Sequence, residues 1–341
     1  MSAEFAKHGL TRFYSPNFSI ISKIKSDPRK SLSKLTGMIT VEDEIECYLE
    51  KTLLPPFNMR HRSLRYAEHL LFSIYLKKQH WLLRKWIREA TVIIFESGFP
   101  IIFFEMVKQL NPLAKTVYIA SDDLSTIKVA KFVKNAFNKA KTSISAICVK
   151  SKLMNTYESS AHNHYVIPHG FDFNIEKLID HNPYESGLNA ISVGSMLFDA
   201  TFFETAAKMF PKINFHIIGH GSRYKYDNFT NIHVYDEIPY RQTIPFIKYA
   251  DFGIAAYRNA GLSQYLADTS LKLAQYSFFG IPSVCPTSIC ANMPGRFGYE
   301  PGKAESIQNA INAALSSKRF EAIYPQSWGE IVDKIKNILH I

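Results

Sequence analysis

The stretch YLADTSLKLAQYSFFGIPSVCP, residues 265–286, sets Asp268, Ser270, Lys272 and Gln275 at the front of an otherwise apolar helical pattern. Asp268, Thr269 and Ser270 are residue types that cap a helix N-terminus, whose free N–H groups favour a phosphate. Lys272, one turn in, adds a full positive charge, and Gln275 follows three residues later on the same side. The alternative is a capped, solvated helix end with an Asp268–Lys272 pair at i,i+4, worth about 0.3–0.5 kcal/mol. A second candidate is Asp122, directly after the apolar run TVYIAS and next to Asp123. It reads either as the N-cap of a helix over 124–138 or as a general base. A helix N-terminus lowers a carboxylate pKa, whereas the neighbouring Asp123 and an apolar cleft raise it. The residues alone leave both pairs of readings open.

These side chains need elements to hold them. TVIIFES (91–97) and TVYIAS (116–121) are continuous apolar strands, separated by a helical pattern over 101–110, and SAICVKS and HYVIPHG add two short strands. Apolar strands alternating with helices predict a parallel sheet covered on both faces. A second series begins at NAISVGS. It runs through helix 200–209, strand 214–218, IHVYDEI, helix 241–249, DFGIAAY, the stretch quoted above, SVCP and helix 305–315. The connector PHGFDFNIEKLIDHNPYESG separates the two, giving a domain over 1–186, a second over 187–325, and a C-terminal helix over 326–341 packing back towards the first. Ligands bind such sheets beyond the carboxyl ends of their strands. Those ends carry Glu96, Ser97, Asp122, Asp123 and His169 in the first domain. In the second they carry Ser195, Met196, Asp199, His220, Asp236, Glu237 and Tyr257. Neither half has a GxGxxG between strand and helix, which disfavours a nicotinamide enzyme, and the absence of GxxxxGK[ST] disfavours a P-loop NTPase.

A chain of 341 residues exceeds what one core usually serves. Its formal net charge of +10 favours an anionic partner. Part of that charge lies in a basic loop at 19–34. More lies in residues 60–89, where Tyr66, Leu70, Phe72, Trp81 and Trp86 alternate with Arg60, Arg62, Arg65, Lys77, Lys85 and Arg88. Such a mixture is either an interfacial helix on an anionic membrane surface or a core-facing amphipathic helix with a wet outer face. Basic residues clustered with leucines, and no recognised binding motif, argue against nucleic acid. No apolar run is long enough to span a bilayer, and MSAEFAKHG has no secretory h-region. The four cysteines form no CxxC pair and suit a reducing cytoplasm, and no HExxH occurs, so no metal is expected.

Several motifs resemble a known family. The order VGS, IIGHG, YDEI, a strand ending in Tyr257, then KLAQYSFFGIPSV is similar to the donor domain of GT-B glycosyltransferases. More specifically, FESG, ASDDLSTI, HGFD, VGSMLFD, the 265–286 stretch and RFGYEPG resemble GumK-type β-glucuronosyltransferases of xanthan-like exopolysaccharide assembly, a likeness running from about residue 11 to 314.

The resemblance implies an α/β GT-B fold with two facing Rossmann-like domains and a cleft between them. It implies a metal-independent, inverting transfer of glucuronic acid from UDP-glucuronic acid. The acceptor would be a mannose-terminated, polyprenyl-diphosphate-linked oligosaccharide at the cytoplasmic face of the inner membrane, reached by a peripheral protein. By matching motif, Asp122 would be the base and Lys272 would hold the UDP phosphates, with Ser270 and Gln275 beside it. Met196, Glu237 and Tyr257 would line the nucleotide site, and Glu96, Asp172 and Asp199 would lie near the cleft. Two departures stand out: position 123 is Asp where the family pattern has Gly, and the family's first strand and basic loop are missing before the first helix. A UDP-sugar epimerase, or a shortened inactive paralogue that binds a UDP-sugar, are the alternatives.

Overall fold

The computed structural model describes residues 1–19, 28–53, 55–78, 80–154, 163–177, 181–219, 226–258 and 262–341. The chain divides into two compact units, Met1–Pro168 with Trp328–Ile341, and His169–Ser327.

The first unit holds two sheets. Strands β1 (Thr11–Phe18), β2 (Ile39–Glu42) and β3 (Ile45–Lys51) form a sheet of order β1-β3-β2, with β1 parallel and β2 antiparallel to β3. Strands β4 (Val92–Glu96), β5 (Lys115–Ala120), β6 (Ala146–Val149) and β7 (His164–Val166) form a parallel sheet in that order. Val117, Ile119, Ala146 and Cys148 of the parallel sheet are buried against Ile331, Ile335 and Leu339 of the helix Trp328–Leu339. The last helix of the chain therefore completes the first unit, as its apolar positions at i, i+4 and i+8 require.

One buried charge in this unit is fully engaged. Glu50 on β3 is 4% exposed and accepts from Tyr75 Oη and from Lys78 Nζ at 3.0 Å, with His80 Nδ1 3.1 Å away. Burial alone would raise its carboxyl, but His80, Tyr75 and Lys78 outweigh that and hold it at about 2. A depressed folded pKa supplies stability above the ordinary carboxylate range that is lost as pH falls through the folded value. Glu50→Gln is therefore expected to destabilise by on the order of 2 kcal/mol at neutral pH. Urea unfolding of wild type and variant should show that gap closing between pH 4.5 and 2; a constant gap would show that the charge of Glu50 is irrelevant.

The second unit is built on one parallel sheet. Strands β8 (Leu188–Val193), β9 (Ile213–Ile218), β10 (Ile232–Tyr235), β11 (Phe252–Ile254), β12 (Ser283–Pro286) and β13 (Arg296–Tyr299) lie in the order β10-β9-β8-β11-β12-β13. All five pairings are parallel. Its core gathers Phe202, Phe203, Phe215, Phe252 and Tyr299, with Ile307 and Ile311 of the helix Ala304–Ser316. Gly253 in the middle of β11 has a packing reason: a Cβ there would enter the ring of Tyr276, whose hydroxyl donates to the carbonyls of Ile191 and Ile254.

Two expectations shift, and one strand is new. The boundary falls at Pro168, before the connector rather than at its end, because Phe171 and Ile175 bury themselves with Ile244 and Phe278, and Tyr184 Oη donates to the carbonyl of Phe246. The helix expected over 124–138 begins only at Lys131. Before it, Asp123 accepts from the N–H and Oγ of Ser125, and its carbonyl accepts from the N–H of Thr126, a turn that competes with helix. Finally, RFGY forms the edge strand β13, too short to announce itself by pattern.

Candidate functional site

In the second unit the chain starts at β8, proceeds outward to β9 and β10, then returns to the other side of β8 with β11, β12 and β13. The order reverses between β8 and β11, and such a reversal opens a crevice for a ligand at the strands' carboxyl ends. The loops that leave those two strands are stitched together. Asp199 N–H donates to the carbonyl of Ala256 at 3.1 Å, Arg258 N–H to that of Leu197 at 2.7 Å, and Phe198 and Tyr257 form an isolated bridge. Met196 and Tyr257 thus belong to two adjoining loops at the reversal.

The stretch 265–286 is broken into two helices. Leu266–Thr269 ends at Ser270, whose extended ψ of 107° restarts the chain as the helix Leu271–Phe278. Ser270 caps that second helix, its Oγ accepting from the N–H of Leu273 at 3.4 Å. The same Oγ lies 2.8 Å from Tyr257 Oη. Because the break puts Asp268 and Lys272 on different helices, the i,i+4 pair does not form. Lys272 is instead 9% exposed, and its Nζ has no hydrogen-bond partner among the described residues. Its nearest compensation is the face of Tyr257, 5.0 Å from Nζ to the ring centroid. Burial pulls this amine down to about 8. A buried ammonium without a counter-charge is costly, and at the N-terminus of a helix it adds to the positive end of the dipole. Both conditions are relieved by an anion.

The remaining candidates of this unit divide. Gln275 is buried and donates through Nε2 to Tyr240 Oη at 3.2 Å, while Glu237 and Met196 are exposed in the loops after β10 and β8. Asp199 is committed elsewhere: it caps the helix Ala200–Met209, its Oδ1 accepting from the N–H and the Oγ1 of Thr201 at 3.0 and 2.7 Å. Asp172 is exposed and turns its Oδ1 to the N–H of Asn174. His220 lies outside the described residues. Tyr240 was missed because nothing in EIPYRQ marks it. Arg296, at the start of RFGYEPG, has no signal of its own in the sequence; it donates through Nη1 to the carbonyl of Ala267 at 2.8 Å, tying β13 to the helix before Lys272.

In the first unit, Glu96 ends β4, while Ser121 with Asp122 follows β5 and Lys150 follows β6, along one carboxyl edge of the parallel sheet. Ser121 Oγ donates to Glu96 Oε2 at 3.3 Å. Asp122 is half-buried and stands well before the helix that starts at Lys131, so the N-cap reading fails. Lys150, 3% exposed, donates to the carbonyl of Pro168 at 3.3 Å and has its ammonium pulled down by burial. A lysine closing an apolar strand was its one signal in the sequence. Among the described residues, no cluster of His, Cys, Asp or Glu has the composition of a metal site.

The chain is similar to known proteins. The family described as "Glucuronosyltransferase GumK, N-terminal domain" matches residues 1–150. The UDP-glucuronate:glycolipid 2-beta-glucuronosyltransferase of Xanthomonas campestris pv. campestris is 40% identical over 332 residues, covering 97% of this chain and 83% of that protein. Among solved structures, the sucrose-phosphate synthase of Thermosynechococcus elongatus superimposes with a TM-score of 0.63 at 11% identity, over 99% of this chain and 90% of its own. The UDP-GlcNAc 2-epimerase of Methanocaldococcus jannaschii does so with a TM-score of 0.53 at 10% identity, over 97% and 99%. At such identities the two structures share a fold with this chain, and that fold hosts more than one chemistry.

Proposed function

Because the chain belongs to the GumK-type glucuronosyltransferases, we propose that it transfers glucuronic acid from UDP-glucuronic acid, with inversion, to a mannose-terminated oligosaccharide on a polyprenyl-diphosphate lipid. The observation that carries this reading is Lys272, a buried cation without a counter-charge beside the capped helix start at Ser270. A nucleoside diphosphate leaving group supplies the missing charge, and its negative charge grows as the glycosidic bond to UDP breaks. Lys272 and the helix N-terminus stabilise that departing diphosphate without a metal. Met196, Glu237 and Tyr257 hold the nucleotide, and Ser270 and Gln275 steady the helix that carries Lys272. Asp122 takes the proton of the acceptor hydroxyl as its oxygen attacks the anomeric carbon. A single-displacement inversion needs only one base for the acceptor hydroxyl.

The acceptor lipid explains the surface of the first unit. On the helix Arg65–Lys77, Tyr66, Leu70 and Ile74 form a stripe that is 82%, 50% and 57% exposed, bordered by Arg62, Arg65 and Lys77. The opposite face of that helix buries Glu68, Phe72 and Tyr75, as the core-facing reading expects of it. Apolar stripes flanked by bases lie in the interface of anionic membranes. Among the described residues no helix is long and apolar enough to cross a bilayer. Peripheral attachment to the cytoplasmic face of the inner membrane follows from the cytoplasmic supply of sugar nucleotides.

The test is direct. Membranes containing the lipid-linked acceptor, incubated with this protein and labelled UDP-glucuronic acid, should yield label in the lipid extract, in the presence of EDTA as well. Label that stays in the sugar nucleotide, epimerised or unchanged, overturns the reading.

A further inference from the structure

A cavity of the first unit lined by residues remote from Asp122 in the chain has a different chemistry. It encloses about 430 Å³ between β1, β3 and the helix Arg65–Lys77. That volume falls within the range of small-molecule sites. Phe18, Leu53, Leu71, Ile74 and Tyr75 give it an apolar interior. Lys51 and Lys78 also line it, and among the described lining residues there is no carboxylate. Lys78 is steadied by Glu50 at 3.0 Å, but that carboxylate is itself buried and shared with Tyr75 and His80, so the described lining carries a positive balance. Two of the lining residues reach the surface: Leu53 is 87% and Ile74 57% exposed. Ile74 is also the last member of the stripe Tyr66, Leu70, Ile74, so the stripe and the cavity share one residue.

An apolar slot with cations at its opening fits an apolar chain that ends in a multiply charged anion. The geometry points to this cavity as the seat of the isoprenoid chain next to the diphosphate of a polyprenyl-diphosphate lipid, with Lys51 and Lys78 on the phosphates. The inference rests on the acceptor class proposed above and adds where this chain grips it. A free membrane acyl chain would not need two lysines at the opening, and a free phosphate would not need the apolar interior.

The test reads binding, not transfer. Isothermal calorimetry with geranylgeranyl diphosphate as probe should show saturable binding to the wild-type chain. Inorganic diphosphate should fail to displace it, and palmitate should bind at least tenfold more weakly. Leu71→Trp, which fills the slot, and Ile74→Asp, at an exposed position that tolerates a charge, should each weaken the probe at least tenfold while leaving UDP binding unchanged. Unchanged probe affinity in both variants, or palmitate binding as tightly as the probe, overturns the assignment. Probe binding of the expected pattern together with failed sugar transfer overturns the transferase reading instead, so the two failures are distinct.

Discussion

Asp122→Asn is expected to lower glucuronosyl transfer by roughly 10²–10⁴-fold, the usual contribution of a positioned general base. The affinity for UDP should not change. The substitution keeps shape and hydrogen-bonding capacity but removes the ability to hold the acceptor proton. Asp122 sits at the carboxyl end of β5, in a turn built around Asp123 rather than at a helix start. Its carboxylate is therefore not needed to cap a helix, and Asn should fold without loss. Label transfer and UDP calorimetry on the same preparation check both halves. A variant that retains more than a tenth of the activity removes Asp122 from the role of base.

Lys272→Met should have the second large effect, and it acts in two directions. Without the ammonium the departing diphosphate loses its main stabiliser. Transfer should fall by about 10²–10³-fold, and UDP should bind more weakly. The fold, by contrast, should gain. The amine sits at about 8 where an exposed lysine sits near 10.5, because burial disfavours its charged form. Below about 8 the folded chain carries the full penalty of the buried charge, on the order of 3 kcal/mol before relaxation. Between 8 and 10.5 the unfolded chain holds a proton that the folded chain has given up, so wild-type stability rises with pH. The stability advantage of Lys272→Met is thus largest near pH 7 and shrinks towards pH 10.5, which denaturant titrations at the two pH values measure. A variant less stable than wild type at pH 7 would show that Lys272 already has a counter-charge in the empty site.

The parallel strands of both units were legible because buried parallel strands are written as unbroken apolar runs; TVIIFES, TVYIAS and INFHII leave little choice. The helix 200–209 was legible to its ends, although Asp199, read as a cleft residue, proves to be its cap. What the pattern hid had local causes. The turn at Asp123 and the break at Ser270 are both made by short polar side chains bonding to nearby backbone, which a helical periodicity cannot register. The break mattered most: it frees Lys272 from Asp268 and turns an ordinary helix end into an orphaned cation. Glu50, Tyr75, Lys78 and His80 were invisible because a buried charge network depends on residues that meet only in space. The cavity beside them was invisible for the same reason.

The passage of the chain out of the first unit at Pro168 and back into it at Trp328 sets an order of events on the ribosome. The second unit is one continuous stretch, residues 169–327, and needs no segment made after it. The first unit, although its sheets are translated earlier, waits for the final helix to cover Val117, Ile119 and Ala146. Until then that sheet face is open, and chaperone dependence during synthesis should fall on the half of the protein that is made first.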